Sequence, residues 1–307
     1  MIQYLYIGSE GGNTVKRQFK SIAIYSSINN LKVEKIASQL EEIILNLNLK
    51  NVLPASSSIT SKLKGRAYSD DYIINNVDLV VAIGGDGTLL SSARKFGSRG
   101  LPILGINLGN LGFLTDIAPE DLTTSFKEVV KGSYSKDERS FINSRVNSLN
   151  KNNIALNEVV IHSGSIAKLM EYELFIDESF VYRQKADGII ISTPTGSTAY
   201  SLSGNGPIVH PAVKAITLLP MFPHSLNTRP LLVDENAEIL IKICNKGKTN
   251  ISLDSHSEIK LKQNDLIHLS KAKSTLTLIH PKDHDFYSAC RNKLGWSLGI
   301  PSKNNLR

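Results

Sequence analysis

The sequence predicts an α/β fold in which a parallel α/β region is followed by a mainly β region. Apolar, strand-like runs alternate with helical patterns from about residue 21 to residue 131, which favours a parallel sheet. After about residue 140, strand-like runs follow one another with few helical patterns between them. A helix-like tail over residues 283–296 ends this pattern, and we expect it to pack back on the first region.

Within the first region, each element is predicted from its own pattern. Residues 31–49 place apolar side chains at helical spacing, which predicts an amphipathic helix. Short apolar runs rich in β-branched residues predict buried parallel strands. The predicted strands cover residues 21–25, 52–54, 78–83 and 101–107, and further helices are predicted over residues 68–76 and 119–131 and from Leu89 onward.

The second region is predicted from a run of strand patterns. The strands are expected over residues 154–161, 171–176, 189–192, 239–244, 258–261 and 275–279. The domains predicted from these elements are an α/β domain over residues 21–138, on which residues 283–307 pack back, and a β-rich domain over residues 139–282. Residues 1–20 fit no periodic pattern, and we treat them as an N-terminal extension of uncertain role.

Composition and length indicate the general class of protein to which this chain belongs. The chain has 307 residues, 41% of them hydrophobic and 21% charged, which is typical of a globular protein of about two domains. The two cysteines, Cys244 and Cys290, are far apart, which excludes a disulfide framework and favours a reducing compartment. No apolar run is long enough to cross a bilayer and no signal pattern opens the chain, so we expect a cytoplasmic protein without a membrane partner.

The charge balance favours anionic partners. The net charge is +7 and the sequence pI is about 9.2. The lysines are dispersed, however, and no aromatic RNA-binding signature lies among them. We therefore expect no nucleic-acid partner and a basic surface that attracts polyphosphates weakly.

The first chemical motif is a glycine turn between the strand ending at Ile83 and the helix that follows. It consists of Gly84, Gly85, Asp86, Gly87 and Thr88. Glycines let backbone N–H groups approach a ligand, and the helix N-terminus favours an anion such as phosphate. A carboxylate repels a neighbouring phosphate unless a metal ion lies between them or the carboxylate takes a proton from a hydroxyl. Either arrangement is typical of an enzyme that catalyses phosphoryl transfer. From this stretch alone, a glycine turn with an exposed aspartate stays an open alternative.

The second motif is the segment of residues 185–207, in which a strand runs into a loop of hydroxyl side chains and glycines. Such a loop suits a polar aromatic ligand such as adenine or a carboxamide, and a serine- and threonine-rich surface loop is the alternative. Asn157 and Glu158 could together hold the two hydroxyls of a ribose, although the pair alone is uninformative. Residues 254–256 are read as a turn between two strands. His162 and His210 lack the spacing of metal ligands, so no metal-ligating residue is predicted.

Taken together, these stretches resemble the NAD kinases of bacteria, in particular the proteobacterial type. The resemblance runs in order from about residue 21 to residue 296, and the string Thr-Pro-Thr-Gly-Ser-Thr-Ala-Tyr at residues 193–200 is its most specific part. The matching stretches are residues 84–88, 105–114, 157–158, 187–207, 278–282 and 293–296.

The resemblance implies an ATP-dependent kinase that transfers the γ-phosphoryl of ATP to the 2′-hydroxyl of the adenosine ribose of NAD, giving NADP and ADP. It implies a Rossmann-like ATP-binding domain, a β-rich NAD-binding domain, a divalent metal cofactor, usually Mg²⁺, and a homo-oligomer, either a dimer or a tetramer. Two alternatives remain: a non-catalytic sensor that binds NAD, and a lipid or sugar kinase of the same superfamily.

The resemblance also implies roles for individual residues. Asp86 is the expected general base, Asp187 the expected partner of the nicotinamide amide, and Gly84, Gly85, Gly87 and Thr88 the expected phosphate loop for ATP. The further residues expected to bind NAD are Gly87, Asn157, Glu158, Lys168, Lys185, Thr198, Ala199, Tyr200, Ser201, Leu202, Ser203 and His256. Lys185 and His256 replace the arginine and glutamine common among relatives, which leaves the preference for NAD or NADH open.

Overall fold

The structure is a computed structural model, and it describes residues 19–109, 112–149, 152–164, 169–225, 227–245 and 247–296. The predicted substrate contact at Lys168 lies outside the described residues, as does most of the predicted N-terminal extension.

The N-terminal region alternates strands and helices, as the sequence predicts. Its elements are β1 (Ser21–Tyr25), α1 (Leu31–Asn46), β2 (Lys50–Pro54), β3 (Arg66–Tyr68), α2 (Asp70–Asn76), β4 (Leu79–Ile83), α3 (Asp86–Lys95), β5 (Ile103–Ile106) and α4 (Leu122–Val130). The strands are parallel, in the order β5-β4-β1-β2-β3. The helix predicted from residue 68 begins at Asp70, because Tyr68 pairs with Pro54 as the end of β3.

Helix α1 shows how local chemistry and burial agree. The side chain of Asn30 accepts a hydrogen bond from the N–H of Val33 and caps the helix. Ile36, Leu40 and Ile44 recur at helical spacing and are buried against the sheet. Leu31 is 85% exposed and therefore does not belong to the apolar face predicted for this helix.

The C-terminal region consists mainly of strands. Its elements are β6 (Tyr134–Val146), β7 (Asn152–Ala155), β8 (Glu158–Ser163), β9 (Met170–Ile176), β10 (Ser179–Ala186), β11 (Gly188–Ser192), α5 (Tyr200–Ser203), β12 (Ala215–Met221), β13 (Leu231–Asp234), β14 (Ile239–Ile243), β15 (Thr249–Leu253), β16 (Ser257–Leu261), β17 (Leu266–Pro281) and α6 (Phe286–Leu294). The strand predicted over residues 154–161 is in fact two strands, β7 and β8, which pair with different neighbours.

Strand β17 joins the two regions. Its end pairs in parallel with β5 through Leu278 and Ile279, and its beginning pairs antiparallel with β14. Within the described residues, an eleven-stranded sheet therefore runs from β10 to β3, with β6 paired to β17 and β7 paired to β6. The division predicted at residues 138 and 139 stays a prediction.

A second sheet has the strand order β13-β12-β11-β8-β15-β16 in the described part of the chain. Its inner face packs on the C-terminal half of the first sheet, and Ile161 and Ile191 share one buried cluster with Ile241 and Ile267. At the carboxyl-terminal end of β11, Thr193 is hydrogen-bonded to Leu156, which shares a buried cluster with Leu89 of α3. None of the described helices is long and apolar enough to span a membrane.

Candidate active site

Asp86 is held by a second glycine loop. It is the first residue of α3 and comes directly after β4 and the pair of glycines. Its Oδ2 accepts a hydrogen bond of 3.1 Å from the N–H of Phe113, and its Oδ1 accepts one of 3.2 Å from the N–H of Leu114. The glycine turn of residues 84–88 and the glycine loop within residues 105–114 therefore meet at this half-buried carboxylate.

The close approach of the loops explains two of the glycines. A Cβ atom on Gly112 would collide with Oδ1 of Asp86, and one on Gly84 would collide with the side chain of Thr88. Gly85 and Gly87 have open space where a side chain would stand. The surface of the turn at these two positions is therefore free for a ligand to approach the backbone.

Thr88 takes part in the turn itself. Its side chain is buried, and its Oγ1 lies 2.8 Å from Oγ of Ser27. Its N–H donates to the carbonyl of Gly85 at 3.0 Å. The N–H and the hydroxyl of Thr88 are thus both hydrogen-bonded within the protein.

Asn157 and Glu158 are positioned by a carboxylate that the sequence analysis treated only as part of a turn. Asp254 Oδ1 accepts the N–H groups of Asn157 at 2.8 Å and Glu158 at 3.2 Å. Asp254 Oδ2 accepts the N–H of Leu156 at 3.0 Å and lies 3.3 Å from the guanidinium of Arg94 on α3. The side chain of Asp254 is fully buried, so this contact fixes the Asn157–Glu158 segment against α3.

Three polar atoms beside this segment are buried without a hydrogen-bond partner. They are Oδ1 of Asn157, Oε2 of Glu158 and Oγ of Ser201. A buried polar atom without a partner costs about 1–3 kcal/mol, so each of these three requires a hydrogen-bond partner that the described residues do not supply, such as water or a ligand. All three belong to the set of residues that the sequence predicts to bind NAD.

Burial also changes the acidity of Glu158. Loss of solvent and, to a lesser extent, the negative charge of Asp254 together raise the pKa of Glu158 to about 7, against the opposing effect of a hydrogen bond from the backbone of Tyr200. A carboxyl group with this pKa donates a hydrogen bond when protonated and accepts when ionised. It can therefore bind a sugar hydroxyl in either form.

The hydroxyl-rich loop packs on the same segment. Thr193 Oγ1 donates to the carbonyl of Leu156 at 2.6 Å, and a Cβ atom on Gly196 would collide with the carbonyl of Asn157. Leu156 in turn shares a buried cluster with Leu89 of α3. The helix that begins at Asp86 and the loop after β11 therefore both contact residues 156–158.

Other predicted residues lie in two neighbouring cavities. Asp187 and Tyr200 line one of about 560 Å³, together with His162 and Met221. Lys185 lines another of about 590 Å³. Asp86, Asn157 and Glu158 line neither of these two, so the predicted residues do not share one cavity wall.

The remaining residues predicted to bind NAD differ in their burial. Ser203 is exposed and lines a third cavity with Tyr200 and Phe222, while Ser201 is buried. Thr198, Ala199 and Leu202 are half-buried. His256 is exposed in the turn between β15 and β16, and its Nδ1 lies 2.6 Å from the carbonyl of Leu253. The turn predicted at residues 254–256 is thus confirmed.

Sequence reasoning gave no function to Asp254 or Arg94. Both are polar residues at the ends of regular elements, and nothing in their spacing links residue 94 to residue 254. Asp254 adopts a left-handed backbone with φ of +44°, which aims its carboxylate back at the start of β8. Such a contact is visible only in three dimensions.

Comparisons with known proteins agree with the sequence and the fold. Residues 14–134 match the family model described as the ATP-NAD kinase N-terminal domain, and residues 156–281 match the ATP-NAD kinase C-terminal domain. The chain is 40% identical over 292 residues to the NAD kinase of Marinobacter nauticus, covering 92% of this chain and 98% of that protein. It is 40% identical over 294 residues to the NAD kinase of Pseudomonas entomophila, covering 94% and 99%.

Solved structures confirm the predicted fold. The yeast NADH kinase in complex with NADH superposes with a TM-score of 0.83 at 25% identity, covering 93% of this chain and 90% of that one. An NAD kinase from Archaeoglobus fulgidus in complex with ATP superposes with a TM-score of 0.70 at 23% identity, covering 89% and 99%. With both family models matched in order and full-length relatives at 40% identity, the chain belongs to the ATP-NAD kinase family.

Proposed function

We propose that this chain transfers the γ-phosphoryl of ATP to the 2′-hydroxyl of the adenosine ribose of NAD, with Asp86 as general base. In this reaction the ribose oxygen forms a bond to the γ-phosphorus while the bond to the bridging oxygen of ADP breaks. The proton of the hydroxyl passes to the carboxylate of Asp86. The products are NADP and ADP.

One observation carries the assignment of the base. The two N–H donors from Phe113 and Leu114 fix the carboxylate of Asp86 at the rim of a glycine turn whose Gly85 and Gly87 are open to a ligand. Phosphoryl transfer depends on alignment and charge neutralisation more than on covalent help from the protein. A fixed carboxylate beside a phosphate loop supplies the alignment.

The buried oxygens of Asn157 and Glu158 support the binding of a ribose next to this base. Their missing hydrogen bonds match the donors of two sugar hydroxyls, and Ser201 adds a third group from the hydroxyl-rich loop. Asp187 and Tyr200 line the adjoining cavity and are proposed to contact the rest of the dinucleotide. The yeast NADH kinase, which has the same fold, is seen with NADH, and this supports a nicotinamide dinucleotide as the acceptor substrate.

The family description supports ATP as the donor, and we propose Mg²⁺ as the accompanying cofactor. Mg²⁺ in kinases is usually held by one or two carboxylates together with substrate phosphates rather than by a protein cage. Asp86 is the acidic residue in the first turn of α3, and such a site fits a metal carried mainly by the phosphates of ATP. A Mg²⁺ ion held there by Asp86 and the phosphates of ATP would offset the negative charge of both.

A coupled assay tests the proposal. The purified protein is mixed with ATP, Mg²⁺ and NAD, and NADP is followed with an NADP-specific dehydrogenase. We expect NADP to form in proportion to the ADP released. Tight binding of NAD without NADP would instead identify a sensor, and phosphorylation of a lipid or a sugar in place of NAD would identify a different kinase. Parallel assays with NAD and NADH measure the preference that Lys185 and His256 leave open.

We also propose that the chain forms a homo-oligomer, a dimer or a tetramer. Strand β10 is an outer strand of the eleven-stranded sheet, and its Phe180 is 59% exposed beside an exposed Val181. Apolar side chains on the edge of a sheet are typical of contacts between chains. Light scattering coupled to size-exclusion chromatography measures the mass directly. A monomeric mass at micromolar concentration would contradict the proposal.

A further inference from the structure

A cluster of metal-ligating side chains lies outside the residues that the reaction uses. Asp116, His280 and His284 bring one ligand atom each within 4.8 Å of one another, and no other group of three is found in the described ranges. Asp116 follows the second glycine loop, His280 lies at the end of β17, and His284 precedes α6. The cluster therefore joins three segments that are distant in sequence.

Both histidines direct Nδ1 at the same carboxylate. Oδ1 of Asp116 lies 3.0 Å from Nδ1 of His284, and Oδ2 of Asp116 contacts Nδ1 of His280. The two imidazole rings are stacked with their centroids 4.0 Å apart. A turn fixes their spacing, because the N–H of His284 donates to the carbonyl of Pro281 at 3.1 Å. Two nitrogens and one carboxylate therefore lie within reach of one another. Because stacked rings cannot both point a lone pair at one ion, the less buried ring of His284 must turn when an ion binds.

His280 has the surroundings of a metal-bound histidine. It is 1% exposed, and its Nε2 is buried without a hydrogen-bond partner, 3.6 Å from Oδ2 of Asp137. Arg139 fixes that carboxylate through Nε at 2.8 Å and the second guanidinium nitrogen at 2.6 Å. Histidines that bind a metal through one nitrogen almost always direct the other at a carboxylate, a carbonyl or a water. Asp137 is such a carboxylate, so Nδ1 of His280, which contacts Oδ2 of Asp116 when no ion is bound, is the atom that would bind the ion.

The opposite side of the cluster is open. A cavity of about 290 Å³ is lined by Asp116 and His284 and by further charged residues. They are the acidic residues Asp121, Glu128, Asp283 and Asp285, the last of which is paired with Arg291, and the basic residue Lys282. These carboxylates make the entrance negative, which favours the approach of a cation. The cavity also leaves room for water or an exogenous ligand to complete the coordination.

We propose that Asp116, His280 and His284 bind a divalent first-row transition metal, with Zn²⁺ as the representative ion. Imidazole nitrogens select Zn²⁺ and its neighbours, whereas Mg²⁺ prefers oxygen ligands, so this site is distinct from the Mg²⁺ that accompanies ATP. The proposal does not rest on the proposed function. A bound ion ties the turn before α6 to the loop whose Phe113 and Leu114 hold Asp86.

Calorimetric titration of the full-length, chelator-treated protein tests the site in the absence of ATP and NAD. We expect Zn²⁺ to bind in a one-to-one ratio, and excess Mg²⁺ not to displace it. The variant His284→Phe keeps a ring that can stack on His280 and removes one ligand, so it should bind Zn²⁺ at least about 100-fold more weakly. The matched control is His268→Phe, a half-buried histidine of β17 outside the cluster, which should bind as the original chain does.

A second variant tests the supporting carboxylate. Asp137→Asn should weaken Zn²⁺ binding by about 10–100-fold, the usual effect of losing the outer partner of a ligating histidine. The proposal is overturned if the original chain binds no stoichiometric Zn²⁺, or if His284→Phe binds it with unchanged affinity. Unchanged affinity in Asp137→Asn would overturn the part assigned to Asp137.

Discussion

Asp86 illustrates how much of the proposed chemistry depends on one side chain. Its carboxylate makes hydrogen bonds to Phe113 and Leu114 through N–H donors, so an uncharged amide oxygen can keep one of these contacts but cannot take a proton. We expect Asp86→Asn to lower kcat by about 10²–10⁴-fold, the usual contribution of a general base, while NAD still binds. The coupled assay and NAD titration measure the two effects.

The control for this change is Asp71→Asn, whose carboxylate is 82% exposed and pairs with Arg99 at the surface. Its kcat should equal that of the original chain. Near-normal turnover by Asp86→Asn would show that another group takes the proton.

The buried carboxyl group of Glu158 makes the folding stability of the protein depend on pH. Its pKa is raised from 4.5 to about 7 in the folded protein. Between these values the folded state keeps the proton and the unfolded state loses it, so stability falls as pH rises through this window and stays low above it. Glutamine does not ionise and therefore avoids this loss.

We predict that Glu158→Gln gains stability over the original chain at pH 8, by up to about 3 kcal/mol, since one pKa unit corresponds to about 1.4 kcal/mol. At pH 4 the gain should vanish, because both states then carry the proton. Urea unfolding of the ligand-free protein at the two pH values measures the difference. An equal gain at both would mean that packing, and not ionisation, explains the effect.

Helix α3 is anchored at both ends, with Asp86 at its start and Arg94 in its last turn. Arg94 is the cation beside Asp254, whose carboxylate also accepts three backbone N–H groups at the start of β8. This contact couples the helix carrying the proposed base to the segment carrying Asn157 and Glu158. Neither α3 nor β8 alone could fix the position of Asp86 relative to Asn157 and Glu158.

Removing the cation should therefore destabilise the protein. Arg94→Met leaves the fully buried carboxylate of Asp254 without its counter-charge, and we expect a loss of about 1–3 kcal/mol, because the guanidinium keeps some contact with solvent. The KM for NAD should rise as well, because the Asn157–Glu158 segment loses its anchor to α3.

The matched control is Arg99→Met, which breaks an exposed pair with Asp71 and should change stability by less than about 1 kcal/mol. Urea unfolding at pH 7 compares the two variants. Equal losses would show that the burial of Asp254 does not matter.

The predictability of the elements follows their burial. Strands β1 and β4 are buried on both faces and form uninterrupted apolar runs, so sequence patterns found them. Strand β10 was not predicted from the sequence. It lies at a sheet edge and carries Arg183, Gln184 and Lys185, whose polar side chains interrupt the apolar pattern expected of a strand. Proline at position 220 similarly obscured β12, although its partners supply the pairing.

The continuity of the eleven-stranded sheet makes the two regions depend on each other. Strand β5 is covered on its outer side by β17, and β6 pairs with β17 over nearly its whole length. A fragment ending at residue 138 therefore lacks β17, which pairs with β5 and with the start of β6.

We predict that this fragment, residues 19–138, shows no cooperative thermal transition by circular dichroism, because an exposed apolar strand edge and an uncovered core face remain. The full chain is the control and should unfold cooperatively. A sharp transition in the fragment would support an independent first domain with the boundary that the sequence suggests.

The sequence by itself determined the alternation of strands and helices, the glycine turn with Asp86 and the family, because these depend on residue types at short spacing. Only the tertiary structure decided that Asp254 holds Asn157 and Glu158 against α3, that β17 unites the sheet, and that Asp116 meets His280 and His284. These contacts join residues up to 175 positions apart, as between Ile103 of β5 and Leu278 of β17. Local patterns hold no information on such distances, because the packing of the whole chain sets them.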